Sequence, residues 1–153
     1  MTKADMQPQW DYLKLLLGNV RKQIDLVPAG KITFQPTPEV RTIGELCLHL
    51  HEYLTELTDA VKAGKHTPMI LPAITDKQKL LDWCDNQVKQ GFATFSALTD
   101  VQLAANITAW GEAFPGWKLL GFINDEVIHH RGQLTIYLRL IGIPPILIYN
   151  FEE

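Results

Sequence analysis

INDEVIHHRGQLTIYLR, residues 123–139, is the stretch that decides how the chain folds. Ile123, Val127, His130, Leu134 and Tyr137 recur at steps of three and four, the spacing of one helix face. His130 therefore lies on the apolar stripe, between Val127 and Leu134. Glu126 stands one turn earlier, roughly 40° around the axis from His130, because each residue turns by about 100°. Gln133 continues that edge, and His129 points further toward solvent. A carboxylate and an imidazole thus project together toward the interior or its margin, where a charge without a partner is costly. Glu126 could hydrogen-bond His130 or a residue of another helix. It could pair with Arg131 or Arg139, although both face elsewhere. Or Glu126 and His130 could bind a metal ion together. From this helix alone the structural pair is the commoner case, since E-x-x-x-H arises by chance in many helices.

The same period recurs in three earlier segments. The first carries Trp10, Leu13, Leu17, Val20, Ile24 and Val27, and "VPAG" ends it with Gly30 as terminator. The second carries Ile43, Cys47, Leu50, Leu54, Leu57 and Val61 and stops at Gly64. Its start is "TIGE", a capping box of Thr42 and Glu45. The third opens with a similar box, "TDKQ" at 75–78, and carries Leu81, Cys84, Val88, Phe92, Phe95 and Leu98. The fourth follows Pro115-Gly116 and closes at "GIPP", 142–145. Four helices with one apolar face each, and no strand pattern, predict an all-α four-helix bundle in one domain, residues 1–153. The connections 31–41 and 99–117 are long, and "TDVQ" in the second predicts a further short helix. Long connections in a bundle are crossovers or lie over a site.

Hydrophobic residues make up 46% of the 153 and charged ones 20%, as in ordinary soluble globular proteins. The formal charge of −3, with no Lys/Arg cluster, argues against nucleic acid or an anionic membrane as partner. No apolar run is long enough to span a bilayer, and "MTKADMQPQWDYL" has no signal-peptide core, so the cytoplasm is the expected location. Cys47 and Cys84 fall within helical patterns and read as buried small hydrophobes rather than a disulfide or a reactive thiol.

The second helix bears on the question of Glu126. It contains "LCLHLHEY", with His49 beside Leu46 and Tyr53 at one border of the stripe and His51 at the other. Bundles build metal sites from inward residues on facing helices. One imidazole from this helix, with Glu126 and His130, would give two nitrogens and a carboxylate. That set suits a catalytic zinc or another first-row divalent ion, with positions left open.

"TIGELCLHL" and "HHRGQLTIYLRLIGIP" resemble the DinB-like superfamily, which includes YfiT-like proteins regarded as metal-dependent hydrolases. "LTDVQLAANI" and "PGWKLLGFIND" fit as well, so the resemblance spans nearly the whole chain. It implies an up-down-down-up four-helix bundle holding a divalent metal on three histidines. One histidine comes from the second helix and two, at i, i+4, from the fourth. The matching positions are His49, Glu126 and His130, so Glu126 stands where members commonly have histidine. A carboxylate still ligates zinc, nickel or manganese, with zinc or nickel expected first. His51 and His129 remain less well aimed substitutes. Relatives that use low-molecular-weight thiols imply a thiol-dependent transferase or a hydrolase acting on a small molecule.

In that reading Gln133 orients a ligand or simply hydrogen-bonds between helices. Arg131 steers an anionic substrate or, as the simpler expectation, is a solvated surface residue. Trp110, Phe114 and Trp117 wall a pocket or serve as core or dimer contacts. The alternative function is a metal-free bundle for small-molecule binding or protein association, its polar cluster an internal hydrogen-bond network. The apolar tail "IPPILIYNFEE" predicts that Ile146, Leu147, Ile148 and Tyr149 pack on the bundle or across a homodimer.

Overall fold

The computed structural model describes residues 1–150. Five helices and one hairpin follow in chain order: α1 (Lys3–Leu26), α2 (Ile43–Ala63), α3 (Lys77–Ala97), α4 (Asp100–Ala104), β1 (Asn106–Ala109), β2 (Glu112–Pro115) and α5 (Gly116–Leu140). The four long helices are those the periodicity predicts, and the chain is an all-α bundle.

Local chemistry sets their ends, with two departures from expectation. The box at α2 forms: Thr42 accepts from the Glu45 amide, and the Glu45 carboxylate accepts from the Thr42 amide at 2.8 Å. Gly64 ends α2 at φ 69°, a left-handed cap that suits glycine. At α3 the box at 75–78 does not form. Asp76 is the N-cap instead, its carboxylate accepting from the Lys79 amide at 2.9 Å. Nor does Gly30 terminate α1. Pro28 forces Val27 into extended backbone, ψ 120°, and Gly30 falls in a separate turn of tighter helix, Ala29–Lys31.

Side-chain pairings give the helix directions. Lys3 reaches the carbonyls of Ser96 and Leu98, and Lys77 reaches that of Asp25, so α1 and α3 run antiparallel. Thr135 meets Gln23 near the other end of α1 from Lys3, and Gln9 lies beside Gly121, so α1 and α5 are parallel. Thr55 pairs with Gln87 and Asp59 with Thr94, so α2 and α3 are parallel. The result is up-down-down-up, as the family resemblance implies. The buried stripes meet at the centre: Leu13, Val20 and Ile24 from α1, Cys47, Leu50 and Leu54 from α2, Cys84 and Phe95 from α3, Ile123, Val127 and Leu134 from α5. Trp10 stacks on Phe95 with centroids 3.9 Å apart.

The connection at 99–117 holds the predicted short helix, α4, capped by Thr99 and Gln102. It also holds a hairpin that the strand pattern did not predict, with Ile107 opposite Phe114. Each strand has four residues, too few for alternation to register, and Ile107 and Ala109 alone are buried. Arg131 is a second correction. It is 6% exposed rather than solvated, and its Nη1 donates to the Ile148 carbonyl at 3.0 Å. The tail packs on the bundle through that bond and through Asn19, whose amide donates to the carbonyls of Leu147 and Asn150. Ile146 and Ile148 are half-buried, while Leu147 and Tyr149 point outward. Residues 151–153 of the predicted apolar tail lie outside the described residues. Among the described residues no helix is long and apolar enough to cross a membrane.

Candidate metal centre

Helices α2 and α5 face each other, and their polar edges meet where the sequence placed its candidates. His49, Glu126 and His130 each present one ligand atom, all within 4.8 Å of one another. The His130 Nε2 lies 2.9 Å from Glu126 Oε2, and the His49 Nε2 lies 3.6 Å from the same oxygen. The imidazole rings stand edge to face, centroids 4.6 Å apart. Tetrahedral zinc with bonds of 2.0–2.2 Å holds its ligand atoms about 3.4 Å apart, so the three residues could hold a divalent ion.

Hydrogen bonds to the outer ring nitrogens orient the donor set. The Gln133 amide has its Nε2 against His129 Nε2 at 2.9 Å, which aims its Oε1 at His130 Nδ1, 2.8 Å away. That oxygen only accepts, so the His130 proton sits on Nδ1. Burial lowers the His130 pKa, with the Gln133 and Glu126 hydrogen bonds opposing it. Its Nε2 lies 2.9 Å from Glu126 Oε2, where it donates to the carboxylate if protonated and shares a cation with it if not. The His49 Nδ1 is taken by the Glu52 carboxylate, which leaves its Nε2 facing Glu126. Two ring nitrogens and a carboxylate oxygen converge within 4.8 Å, a donor set that a divalent cation could take up. Metal-binding histidines are commonly held this way, the far ring N–H donating to a carboxylate or carbonyl.

Glu52 was not singled out from the sequence, although its place three residues after His49 put it on the same helix face. Gln133 acts within α5, on His130 and His129, rather than between helices. The two substitutes do not join the cluster. His129 is exposed. His51 is turned away and buried, its Nδ1 donating to the Cys47 carbonyl at 2.8 Å, and burial lowers its pKa to about 4. Cys47 and Cys84 are buried free cysteines, and burial raises the Cys47 pKa to about 12, far from a reactive thiolate.

Two openings adjoin the cluster. A groove of about 1080 Å³ lies between the 31–41 and 71–75 segments and reaches Arg41, Gln133 and Tyr137. A smaller cavity of about 360 Å³ is lined by Tyr53, Leu57, Trp110, Phe122, Asp125 and Glu126. Trp110, of the three aromatics expected to wall a pocket, lines it directly. Phe114 backs it through Phe122 at 5.3 Å, while Trp117 packs against the core. Trp110 and Gly111 form the hairpin's two-residue loop with φ of 51° and 85°, the pattern of a type I′ turn. A bulky side chain in the left-handed region costs on the order of 1–3 kcal/mol. Behind the cavity, buried Glu56 accepts from the Met69 amide at 2.6 Å and meets His66 Nε2 at 2.7 Å. That pins the 65–69 segment to α2, with the His66 ring 5.1 Å from that of Trp110.

Residues 17–153 match the DinB family. The chain belongs to the DinB family. A DinB-like protein from Bacillus cereus ATCC 10987 has the same fold, with a TM-score of 0.79 and 19% identity over 97% of this chain and 98% of that one. A DinB-like protein from Bacillus subtilis superposes with a TM-score of 0.67, at 24% identity over 80% of this chain and 82% of that one. No curated protein matches. At these identities the likeness establishes the DinB fold alone.

Proposed function

We propose that this protein is a divalent-metal-dependent enzyme acting on a small molecule, with His49, Glu126 and His130 holding zinc or nickel, or else manganese. The observation that carries the reading is the convergence of two ring nitrogens and one carboxylate oxygen within 4.8 Å, with both outer ring nitrogens already engaged by Glu52 and Gln133. A bound cation of this class supplies Lewis acidity and lowers the pKa of a thiol or water beside it. Glu52 and Gln133 orient the two imidazoles. Glu126, a third exposed, opens the cluster to the aromatic cavity. The larger groove gives room for a second reactant, a low-molecular-weight thiol, beside Gln133. Transfer of that thiol to an electrophile, or hydrolysis, is the reaction class this arrangement supports. We also take the outward Leu147 and Tyr149 as support for a homodimer, which sedimentation as a monomer would remove.

The test is metal analysis of untagged protein together with thermal melts of wild type, Glu126→Ala and Glu126→His. Metal at a hundredfold excess over Kd stabilises by about 2.7 kcal/mol, or roughly 5–10 °C in a chain of this size. Glu126→Ala is expected to lose most of that shift, and Glu126→His to keep or enlarge it, since imidazole suits zinc and nickel. A shift in the histidine variant alone would mean that Glu126 has cost the site its metal. No shift in any of the three would leave a metal-free bundle, with Glu126→Ala destabilising by about 1–3 kcal/mol as a buried partner is orphaned.

A further inference from the structure

The cavity beside Glu126 has a composition that the metal reading does not use. Three aromatic rings line it, Tyr53, Trp110 and Phe122, with Trp110 6.2 Å from each of the other two. Its two charged lining residues, Asp125 and Glu126, are both acidic, and no lysine, arginine or histidine lines it. Negative charge extends behind the rings. Glu126, Glu52 and Glu56 all lie close enough to Tyr53 to act on it electrostatically. The turn adds an independent observation. Both loop positions of a type I′ hairpin favour Asn, Asp or Gly. Here the first is tryptophan, held at φ 51° with 53% of its surface exposed. Turn geometry does not call for that residue, and half of its surface stays open to solvent. A ring presented to a ligand accounts for it.

We infer that this cavity is a subsite for an organic cation, an alkylammonium group of the substrate held against the faces of Trp110, Tyr53 and Phe122 with Asp125 as its counter-charge. Ring faces carry negative quadrupole density, and a weakly hydrated ammonium gains most from them when a carboxylate stands at the rim. At about 360 Å³ the cavity fits a small molecule. The inference deepens the proposed function by naming the substrate class of the same site. It does not depend on the cation at His49, because the rings and Asp125 are not among the candidate ligands.

The probe is choline, compared with its neutral isostere 3,3-dimethylbutan-1-ol, titrated calorimetrically into the full chain with zinc and with chelator. Choline is expected to bind at least tenfold more tightly than the isostere. Trp110→Asn is expected to lose tenfold or more in choline affinity while keeping or raising the melting temperature, because asparagine suits the turn. Asp125→Asn should weaken choline several-fold and leave the isostere unchanged. Equal affinity for the two probes, no heat from choline, or full affinity in Trp110→Asn would each overturn the inference. Choline binding that persists in chelator while zinc gives no melting shift would retain the subsite and remove the metal. A zinc shift without choline binding would do the reverse.

Discussion

Helix α5 carries two polar pairs at i, i+4, Glu126–His130 facing α2 and Arg131–Thr135 on the α1 side. The second belongs to a network that closes on itself. Thr135 Oγ1 lies 3.1 Å from the Gln23 Oε1 and 2.9 Å from the Arg131 carbonyl, both acceptors. Gln23 donates to Asn19 Oδ1 at 2.9 Å, and Asn19 and Arg131 donate to carbonyls of the C-terminal tail. Each of these donors meets an acceptor, and the network fastens the tail to the bundle. The Glu126–His130 pair sits in a cluster where two ring nitrogens, backed by Glu52 and Gln133, converge on one oxygen of a carboxylate that is a third exposed. The same contrast separates two histidines two residues apart on α2. His51 bonds the Cys47 carbonyl inside the fold, whereas His49 turns its second nitrogen toward Glu126. A buried polar group that is fully partnered reads as structure. One that lacks only a cation reads as a site.

The largest expected effect concerns His51, whose pKa falls from 6.5 in the unfolded chain to about 4 on folding. Above pH 6.5 both states are neutral and the term is absent. Between pH 6.5 and 4 the unfolded chain takes up a proton that the folded chain refuses, so stability falls with pH, by on the order of 3 kcal/mol. Burial lowers the His130 pKa too, so the metal-free protein should lose further stability in the same direction. Urea titrations across this range should show the loss, and a flat profile would mean that His51 is not the closed, neutral group described. Next in size is Gln23→Ala. It orphans the buried Asn19 Oδ1, leaves Thr135 only its bond to the Arg131 carbonyl, and is expected to cost about 2 kcal/mol in chemical denaturation. The metal-induced melting shift should be unchanged, and coupling between the two effects would break the distinction between the clusters. Smallest in free energy is Glu52→Gln, which keeps an acceptor for His49 but removes its charge. Metal affinity measured by chelator competition should fall roughly tenfold, about 1.4 kcal/mol. An unaltered affinity would mean that Glu52 does not tune the ligand.

The set of helices and the place of the polar cluster were legible in the chain. Period 3.6 placed the apolar stripes, and the polar exceptions on two of them, His49 with Glu126 and His130, are visible because helical spacing is local. The caps were less secure. Thr42 and Glu45 formed their box, but at α3 Asp76 displaced Thr75, since adjacent capping residues cannot be ranked without backbone geometry. Only tertiary structure decided the rest. Arg131 looked solvated until the tail supplied the Ile148 carbonyl, a partner 17 residues away. The hairpin exists because Ile107 and Ala109 find a buried surface, which four-residue strands do not announce. The aromatic cavity joins residues from α2, the hairpin turn and α5. The state of the cluster also came from assembly. Which ring nitrogen holds each proton depends on what Glu52 and Gln133 touch, and that is fixed only once α2 and α5 are packed face to face.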